Sequence, residues 1–418
     1  MRPMPPAAAA PLSLPHRLWR LLPAERRRLA FARLTAALAP RPDRPAPAGG
    51  RGMVVAGGFS RATGLGEGAR LMTAALGRLG VACWPLDISH DMWPGAAPDL
   101  AFSADARHHA ASLGAAVMLH VNPPILPWVL LRRGRRLVRG RRVIGFWNWE
   151  LETVPPLWQA AAPLVHEAWV SSHFTAGAIE KFMPGRVRVV PYPLAIVPPV
   201  ASARTRASFG LPDEAVIVLV SFNLASSFAR KNPLAAITAF RAAFGERPDR
   251  LLLIKVGNAG LDAEDFATLQ SAAAGSPNIR LFTDVLAGPD NHALTGLVDI
   301  VLSLHRSEGF GLIPAEAMLL GKPVVATGWS GNLEFMTEES AALVPYRLVP
   351  ARDPRGVYEY KGARWAEPDI AVAARHLVRL ADDAAARATL GAQAKEAAAE
   401  RLGAGPLEVA LAAIGLRP

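Results

Sequence analysis

The sequence has almost no cysteine. Among its 418 residues, Cys83 is the only one. A single thiol cannot form a disulfide within the chain or build a cysteine-based zinc site, and such a composition is typical of a reducing compartment. The scarcity of cysteine therefore excludes a disulfide-stapled fold and predicts a cytoplasmic protein.

Long apolar runs are missing as well. No run reaches the roughly 18 apolar residues that a membrane-spanning helix needs. Prolines interrupt the apolar start, MRPMPPAAAAPLSLP, so we expect a protein that is neither secreted nor membrane-spanning. There is also no Asp-any-Asp triplet that could clamp a metal–diphosphate complex. We therefore expect no obligatory metal and no other cofactor.

Positive charge is plentiful but uneven. Of the formal charge of +11, nine arginines against Glu25 and Asp43 place +7 in residues 1–50. This Pro-, Ala- and Arg-rich segment predicts a basic extension with one helix near Leu14 to Leu38. A solvated extension and a contact with a membrane surface both fit that pattern.

Apolar runs alternate with helix-like segments from residue 51 onward. Short apolar runs predict the strands of a first α/β half: VVAGG, VACWPLDI, AVMLHV, RVIGFWNW, EAWVSS and VRVVPYP. After a proline-rich bridge, Pro191 to Ala203, the alternation restarts with VIVLVSF, LLLIKVG, IRLF, IVLSL and PVVAT. We predict a doubly wound α/β protein with an N-terminal domain over residues 51–200, a second domain over 204–385 and C-terminal helices over 386–418. A return of these helices to the first domain is left open.

The stretch HRSEGFGLIPAEAMLLGKPVVAT, residues 305–327, carries two carboxylates eight positions apart, Glu308 and Glu316. On one helix their directions would differ by roughly 80°. A strand from Asp299 to Leu304, a glycine loop and a helix opening at Pro314 would instead let both carboxylates face one crevice. Amides of that loop favour an anion, while carboxylates accept from hydroxyls; a sugar nucleotide has both.

A second candidate segment is SSFARKNPLAAI, residues 226–237. Asn232 and Pro233 predict a helix start, which places Arg230 and Lys231 at its positive end. Cations there do not complement the helix dipole, but a bound diphosphate would compensate for them. Two solvated charges are the alternative.

Two further features of the first half are weaker signals. The glycines of GGFSRATGLGEGAR, Gly64 and Gly66 among them, lack the spacing of a dinucleotide fingerprint and fit a tight turn equally well. His120 ends a predicted strand, where a histidine is commonly a packed residue. Parallel strands nevertheless gather ligands at their carboxyl ends, which keeps His120 and nearby Asn122 as candidates.

The residues of the 305–327 stretch resemble the signature of retaining glycosyltransferases of the GT-B fold, family four. The resemblance covers about residues 53–400 and is strongest from Val216 to Pro350. It implies two Rossmann-like domains facing a central cleft. This chain departs from the family pattern at Ser226, where an arginine is usual, so Arg230 becomes a substitute.

The resemblance also implies roles for individual residues. Glu308 would contact the donor sugar, Glu316 the ribose, and Lys231 the leaving diphosphate. His120 would lie beside the reacting carbon. The remaining implied donor contacts are Arg230, Gly309, Phe310, Gly311, Leu312, Gly64 and Gly66. Backbone groups near Val256, Gly257 and Phe282 would read the base.

The resulting expectation is a retaining hexosyltransferase that uses a sugar nucleotide, with GDP-mannose as the first choice, on a lipid-linked or saccharide acceptor in surface-polysaccharide synthesis. A sugar-nucleotide epimerase of the same fold and a non-catalytic GT-B partner subunit are the alternatives. Neither the donor, the acceptor, the linkage nor the oligomeric state follows from the sequence.

Seven arginines in the run RRGRRLVRGRR, residues 132–142, form a second basic region. Nucleic acid is not expected, because recognition motifs and interleaved aromatics are missing. A solvated face and an attraction to anionic lipid through Arg132, Arg133, Arg135 and Arg136 both remain open. The second reading predicts a peripheral position at the inner face of a membrane.

Overall fold

Two parallel six-stranded sheets organise the protein. The computed structural model describes residues 23–103 and 112–417. The α/β fold class is confirmed, and every strand predicted from an apolar run is present. Of the helix predicted near Leu14 to Leu38, the structure has Ala24–Leu38, preceded by non-helical Pro23, and residues 14–22 lie outside the described ranges.

The first sheet has the order β2-β1-β3-β4-β5-β6. Its strands are β1 Met53–Gly57, β2 Cys83–Asp87, β3 Ala116–Leu119, β4 Val143–Trp147, β5 Glu167–Val170 and β6 Val187–Val189. All neighbours are parallel. The fully buried β1, β3, β4 and β5 explain their continuous apolar runs, because both faces of a parallel sheet are covered.

The second sheet has the order β12-β11-β10-β7-β8-β9 and is also parallel. Its strands are β7 Val216–Asn223, β8 Arg250–Gly257, β9 Ile279–Phe282, β10 Ile300–Ser303, β11 Val324–Thr327 and β12 Ala342–Val344. In both sheets the strand order reverses at an inner strand. Such switch points leave a crevice at the carboxyl ends of the strands.

Helices cover both sheets. They are α1 Ala24–Leu38, α2 Gly64–Arg78, α3 Ser89–Met92, α4 Leu126–Arg133, α5 His173–Ile179, α6 Phe228–Lys231, α7 Pro233–Phe244, α8 Ala263–Ala273, α9 Gly288–Leu297, α10 Leu312–Leu319, α11 Ile370–Asp382, α12 Ala384–Arg401 and α13 Gly405–Ala413. Asp369 caps α11 by accepting from the Val372 N–H through its side chain. Across 23–103 and 112–417, no helix is long and apolar enough to cross a membrane.

An antiparallel hairpin that the sequence did not predict follows β12. Its strands are β13 Tyr346–Pro350 and β14 Arg364–Pro368. We call the residues between them, 351–363, the bridging segment. Tyr358 of this segment packs in one buried cluster with Trp149 and Trp158 of the first half. The bridging segment therefore joins the two halves.

The two halves are also connected on a second side. The backbone N–H of Ala195, in the proline-rich bridge, donates to the carbonyl of Leu402 at 3.0 Å. The N–H of Gly49 donates to the carbonyl of Ile414, beyond α13, at 2.6 Å. The C-terminal helices thus return to the first half.

Candidate active site

The candidate site lies where loops after β4, β7 and β10 meet. The loop after β10 carries Glu308 and leads into α10. The short helix α6 after β7 carries Arg230 and Lys231, and the loop after β4 carries Glu150. These strands are parallel within their sheets, so their carboxyl ends bring the three loops together.

Glu308 forms ion pairs with both predicted cations. Its Oε1 lies 2.5 Å from Lys231 Nζ, and its Oε2 lies 3.1 Å from Arg230 Nη1. Burial alone would raise the pKa of this carboxyl, but Lys231 and Arg230 outweigh burial and lower it to about 2. Glu308 is therefore ionised at neutral pH and acts only as an acceptor.

Arg230 is held from several directions. Only 3% of the residue is exposed. Nη1 donates to the carbonyl of Ser307, and Nη2 donates to Ser226 Oγ, each at 2.6 Å. Burial opposes the charge, yet neighbouring Tyr358 and Glu308 help raise the pKa of Arg230 above its usual range. The Arg230 guanidinium thus has a fixed orientation and contacts Ser226, the position at which this chain departs from the family pattern.

The helical context of these cations differs from the prediction. Helix α7 does begin at Pro233, but the Asn232 side chain makes no cap to it and instead donates to the carbonyl of Leu304 at 3.1 Å. Arg230 and Lys231 belong to the separate turn α6, which Ser227 caps. Asn232 adopts a left-handed conformation, φ 54°, which ends α6 and reorients the chain.

The glycine loop contacts the first half closely. Ser172 Oγ donates to the carbonyl of Gly309 at 2.7 Å. Phe310 is buried against Tyr192 and Phe335, with ring centroids 5.2 and 5.0 Å away. The Phe310 side chain is therefore part of the core packing. The backbone of this loop is the group that can approach a ligand.

Helix α10 begins at Leu312, two residues before the predicted Pro314. Gly311 precedes it at φ 99° and ψ 63°, a left-handed conformation that a side chain would strain. This glycine turns the chain early enough for Leu312 to enter the helix. Gly321, φ 72°, follows the helix end.

Glu316 occupies a different electrostatic environment from Glu308. Its side chain is 13% exposed, and Oε1 lies 4.0 Å from His292 Nε2. Burial and the negative charge of Glu67, on α2, raise its pKa to about 8. Glu316 is thus largely protonated at neutral pH in the free protein.

Gly64 and Gly66 form the first turn of α2, after β1. Thr63 caps the helix by accepting from the Gly66 N–H at 3.2 Å. A methyl group on Gly66 would lie 2.5 Å from the carbonyl oxygens of Gly58 and Arg61. The carbonyl of Ala62, the residue before Thr63, accepts from the side chain of Asn223 of β7 at 3.1 Å. The segment is a tight turn in contact with the second half.

His120 lies in the core of the first half. Its ring stacks on Phe146 at 4.5 Å, and Nε2 lies 3.2 Å from Met118 Sδ. Burial lowers its pKa to about 3, so the ring is neutral. Nδ1 is buried without a hydrogen-bond partner. Asn122 Oδ1 accepts from the Asn148 N–H at 2.9 Å, which ties the loop after β3 to the loop after β4.

Val256 and Gly257 end β8. Val256 is fully buried and pairs with Phe222 of β7, while the carbonyl of Gly257 accepts from the Leu224 N–H at 2.9 Å. Phe282 is buried at the end of β9. The Val256 side chain faces the core, so only backbone could contact a ligand there.

Two residues that sequence reasoning missed complete the site. Glu150 Oε1 lies 4.0 Å from Arg230 Nη2, and Glu150 Oε2 accepts from Tyr358 OH at 3.0 Å. Glu150 directly follows the predicted strand RVIGFWNW, so its place at a carboxyl strand end was an available signal. Tyr358 had none, because the bridging segment shows no periodic pattern.

The basic run is largely paired within the protein. Arg132 and Arg133 contact Asp91 at 2.8 and 2.5 Å, and Arg135 contacts Asp43 at 3.3 Å. These pairings reduce what the three arginines can offer to an anionic surface, while Arg136 is exposed.

Known proteins share this architecture. Residues 216–360 match the family described as "Glycosyl transferases group 1". A D-inositol 3-phosphate glycosyltransferase of Salinispora arenicola is 29% identical over 250 residues, which cover 56% of this chain and 51% of that protein. The chain spans about half the length of the curated relatives it matches.

Solved structures extend the likeness of fold to both halves. Sucrose-phosphate synthase from Thermosynechococcus elongatus has a TM-score of 0.60 at 16% identity, covering 87% of this chain and 98% of its own. Anabaena HepE in complex with UDP and glucose has a TM-score of 0.57 at 13% identity, covering 88% and 100%. The two facing sheets thus define a GT-B glycosyltransferase fold. Within that class, residues 216–360 of this chain carry the sequence similarity to the group 1 glycosyltransferases.

Proposed function

We propose that this chain is a retaining glycosyltransferase that moves a hexose from a sugar nucleotide to a lipid-linked or saccharide acceptor in surface-polysaccharide synthesis. The buried contact of Lys231 and Arg230 with ionised Glu308, beside the backbone of residues 309–312, carries the proposal. It combines cations for a diphosphate with an acceptor for sugar hydroxyls, and a sugar nucleotide presents both groups.

In the proposed reaction, the bond between the anomeric carbon and the diphosphate oxygen breaks. The acceptor oxygen forms its new bond on the same face, and its proton passes to the departing diphosphate. Lys231 and Arg230 donate to the negative charge that develops on that diphosphate. No metal is needed in this scheme, because the two cations supply the charge. The scheme assigns no nucleophile to the protein and is therefore a single displacement.

The remaining residues bind the donor. Glu316 accepts from the ribose hydroxyls, and Glu308 from those of the sugar. The turn containing Gly64 and Gly66 lies beneath the phosphates. The free Nδ1 of neutral His120 supports a hydrogen bond with the donor sugar near the reacting carbon. Backbone near Val256 and Gly257 reads the base.

GDP-mannose is the first donor to test. UDP-glucose is the second, because HepE, a neighbour in fold, has been solved with UDP and glucose. The acceptor is proposed to sit in or near a membrane, with the protein bound peripherally to its inner face. The exposed apolar residues of α1 and the surface arginines support that position.

The decisive experiment compares donor alone with donor plus acceptor, using a panel of sugar nucleotides. Glycosylated product should form only with the acceptor and should retain the anomeric configuration of the donor. Lys231→Ala should lower turnover by roughly 10²- to 10³-fold, since one donor to developing charge is lost. EDTA should leave the rate unchanged.

Several outcomes would contradict the proposal. An isomerised sugar nucleotide without acceptor would identify an epimerase. No turnover with any donor would favour a non-catalytic subunit. Loss of activity in EDTA that magnesium restores would refute the metal-free scheme.

A further inference from the structure

Glu150 is a buried carboxylate that the proposed reaction does not use. It comes from the first half, in the loop after β4, yet it lies in the ionic cluster of the second half. Its own backbone carbonyl accepts a hydrogen bond from Ser307 Oγ, directly before Glu308. Burial is the main reason that the pKa of Glu150 is raised, and Arg230 only partly offsets it. Burying a carboxylate costs free energy, so we infer that Glu150 has a function at this position.

The contacts of Glu150 converge on Arg230. Glu150 Oε1 lies 4.0 Å from Arg230 Nη2. Glu150 Oε2 accepts from Tyr358 OH at 3.0 Å, and the Arg230 guanidinium lies 5.5 Å from the centroid of the Tyr358 ring. Ser226, Ser307 and Glu308 hold the guanidinium from the second half. Glu150 adds a restraint from the first half.

We propose that Glu150, supported by Tyr358, is a positioning residue that fixes the Arg230 guanidinium toward the diphosphate when the two halves are closed. This inference rests on the proposed function. A planar guanidinium donates well only in a defined orientation, and a misplacement of about 1 Å can cost on the order of 10²-fold in rate.

The charges of the cluster predict the direction in which nucleotide affinity and transfer rate should change when Glu150 is replaced. Lys231 and Arg230 are the cations of the cluster and Glu308 is its ionised carboxylate, while the contacts of Glu150 with Arg230 and Tyr358 favour the charged form of this second carboxylate. A diphosphate entering the site therefore meets the electrostatic repulsion of Glu150 as well as the attraction of the cations. Removing the Glu150 charge should strengthen or preserve nucleotide binding while it slows transfer. A residue needed only for folding would weaken both.

The test uses Glu150→Gln, Tyr358→Phe and a matched control, Tyr360→Phe. Tyr360 lies on the same segment, but its hydroxyl donates to the carbonyl of Thr153 instead. Turnover is measured with the donor that the wild-type protein uses, and binding of GDP and UDP is measured by calorimetry. We expect Glu150→Gln to lose roughly 10- to 100-fold in kcat, with an equal or lower dissociation constant for the nucleotide. Tyr358→Phe should show the same pattern more weakly, and Tyr360→Phe should match the wild type.

Two results would overturn the inference alone. One is an unchanged kcat in Glu150→Gln. The other is a parallel loss of kcat, nucleotide affinity and melting temperature, which indicates a structural role. If the wild-type protein bound neither GDP nor UDP and used no sugar nucleotide, the proposed function would fail and this inference with it.

Discussion

The two glutamates of the 305–327 stretch illustrate how neighbours decide the charge of a residue. Both are shielded from solvent, yet the pKa of Glu308 falls to about 2 and that of Glu316 rises to about 8. Glu308 has two cations within contact distance, whereas Glu316 faces Glu67. The spacing of the pair was visible in the sequence. The difference between their protonation states was not visible, because the neighbours that cause it come from α2, α6 and other distant segments.

The raised pKa of Glu316 predicts a pH-dependent stability. The folded protein binds a proton at this site between about pH 4.5, the ordinary pKa, and about pH 8, and the unfolded chain does not. The stabilisation is complete below the lower value and is lost as the pH rises through the upper one, by at most about 1.4 kcal/mol per pH unit. Glu316→Gln removes this loss. The melting temperature of the variant relative to wild type should therefore be higher at pH 8 than at pH 5.

Glu246→Gln, at an exposed loop position, is the control and should show no such trend. Thermal unfolding of all three proteins at both pH values gives the comparison. An equal difference at pH 5 and pH 8 between Glu316→Gln and wild type would mean that Glu316 is already ionised in the folded protein.

At the scale of elements, the buried parallel strands were predictable and the hairpin was not. Strands that are covered on both faces have unbroken apolar runs in the sequence, such as VIVLVSF for β7. β13 is largely exposed and β14 begins at a charged residue, so neither has that pattern. The bridging segment is fixed by its partners, Glu150 and Thr153 among them. For the same reason Tyr358 could not be assigned to the site in advance.

A close backbone contact between two loops gives a prediction at this scale. A methyl group on Gly331 would lie 2.1 Å from the carbonyl oxygen of Gly309 and 2.3 Å from its carbon. Backbone cannot yield as a flexible side chain does, so Gly331→Ala must displace the glycine loop. We expect a loss of roughly 1–3 kcal/mol in the free energy of unfolding, measured by chemical denaturation, together with reduced transfer.

Gly328→Ala is the matched control, because the nearest atom to its added methyl group, the Val344 carbonyl oxygen, would lie at an ordinary 3.4 Å. It should be much less destabilising. Equal stability of Gly331→Ala and wild type would show that the two loops can separate without cost.

For the whole molecule, charge and exposed apolar surface coincide on α1. Phe31, Leu34 and Leu38 are 51%, 59% and 66% exposed. The exposed arginines Arg26, Arg28 and Arg33 lie on the same helix. A basic helix with exposed apolar side chains suits the surface of an anionic membrane. In the second basic run, by contrast, Asp91 and Asp43 already hold several of the arginines.

We therefore expect the protein to co-sediment with phosphatidylglycerol vesicles at low salt and to be released as salt rises. The reason is that the Debye screening length of the electrostatic attraction falls to about 8 Å near 0.15 M salt. Two variants separate the basic regions. Arg26, Arg28 and Arg33 changed to Gln should lose most of the binding. Arg132, Arg133, Arg135 and Arg136 changed to Gln should lose less, because three of these side chains are paired internally.

Both variants should bind the donor normally, because the proposed nucleotide site lies mainly in the other half. Neutral vesicles serve as the control. Full vesicle binding by both variants would show that neither set of arginines carries the binding, and a wild-type protein that did not bind would refute the peripheral position. A weakened donor affinity in either variant would place its arginines in the cleft.

The contact of Ala195 with Leu402 has a mechanical consequence. The proline-rich bridge and the C-terminal return meet there, so we expect any relative rotation of the halves to turn about this point. The bridging segment joins the halves at the candidate site through the hydrogen bond from Tyr358 to Glu150. The halves are thus connected by the chain at one edge and by side-chain contacts at the candidate site. We expect a rotation that separates the halves at that site to break the contact of Glu150 with Arg230, so this restraint on the guanidinium exists only while the halves are closed.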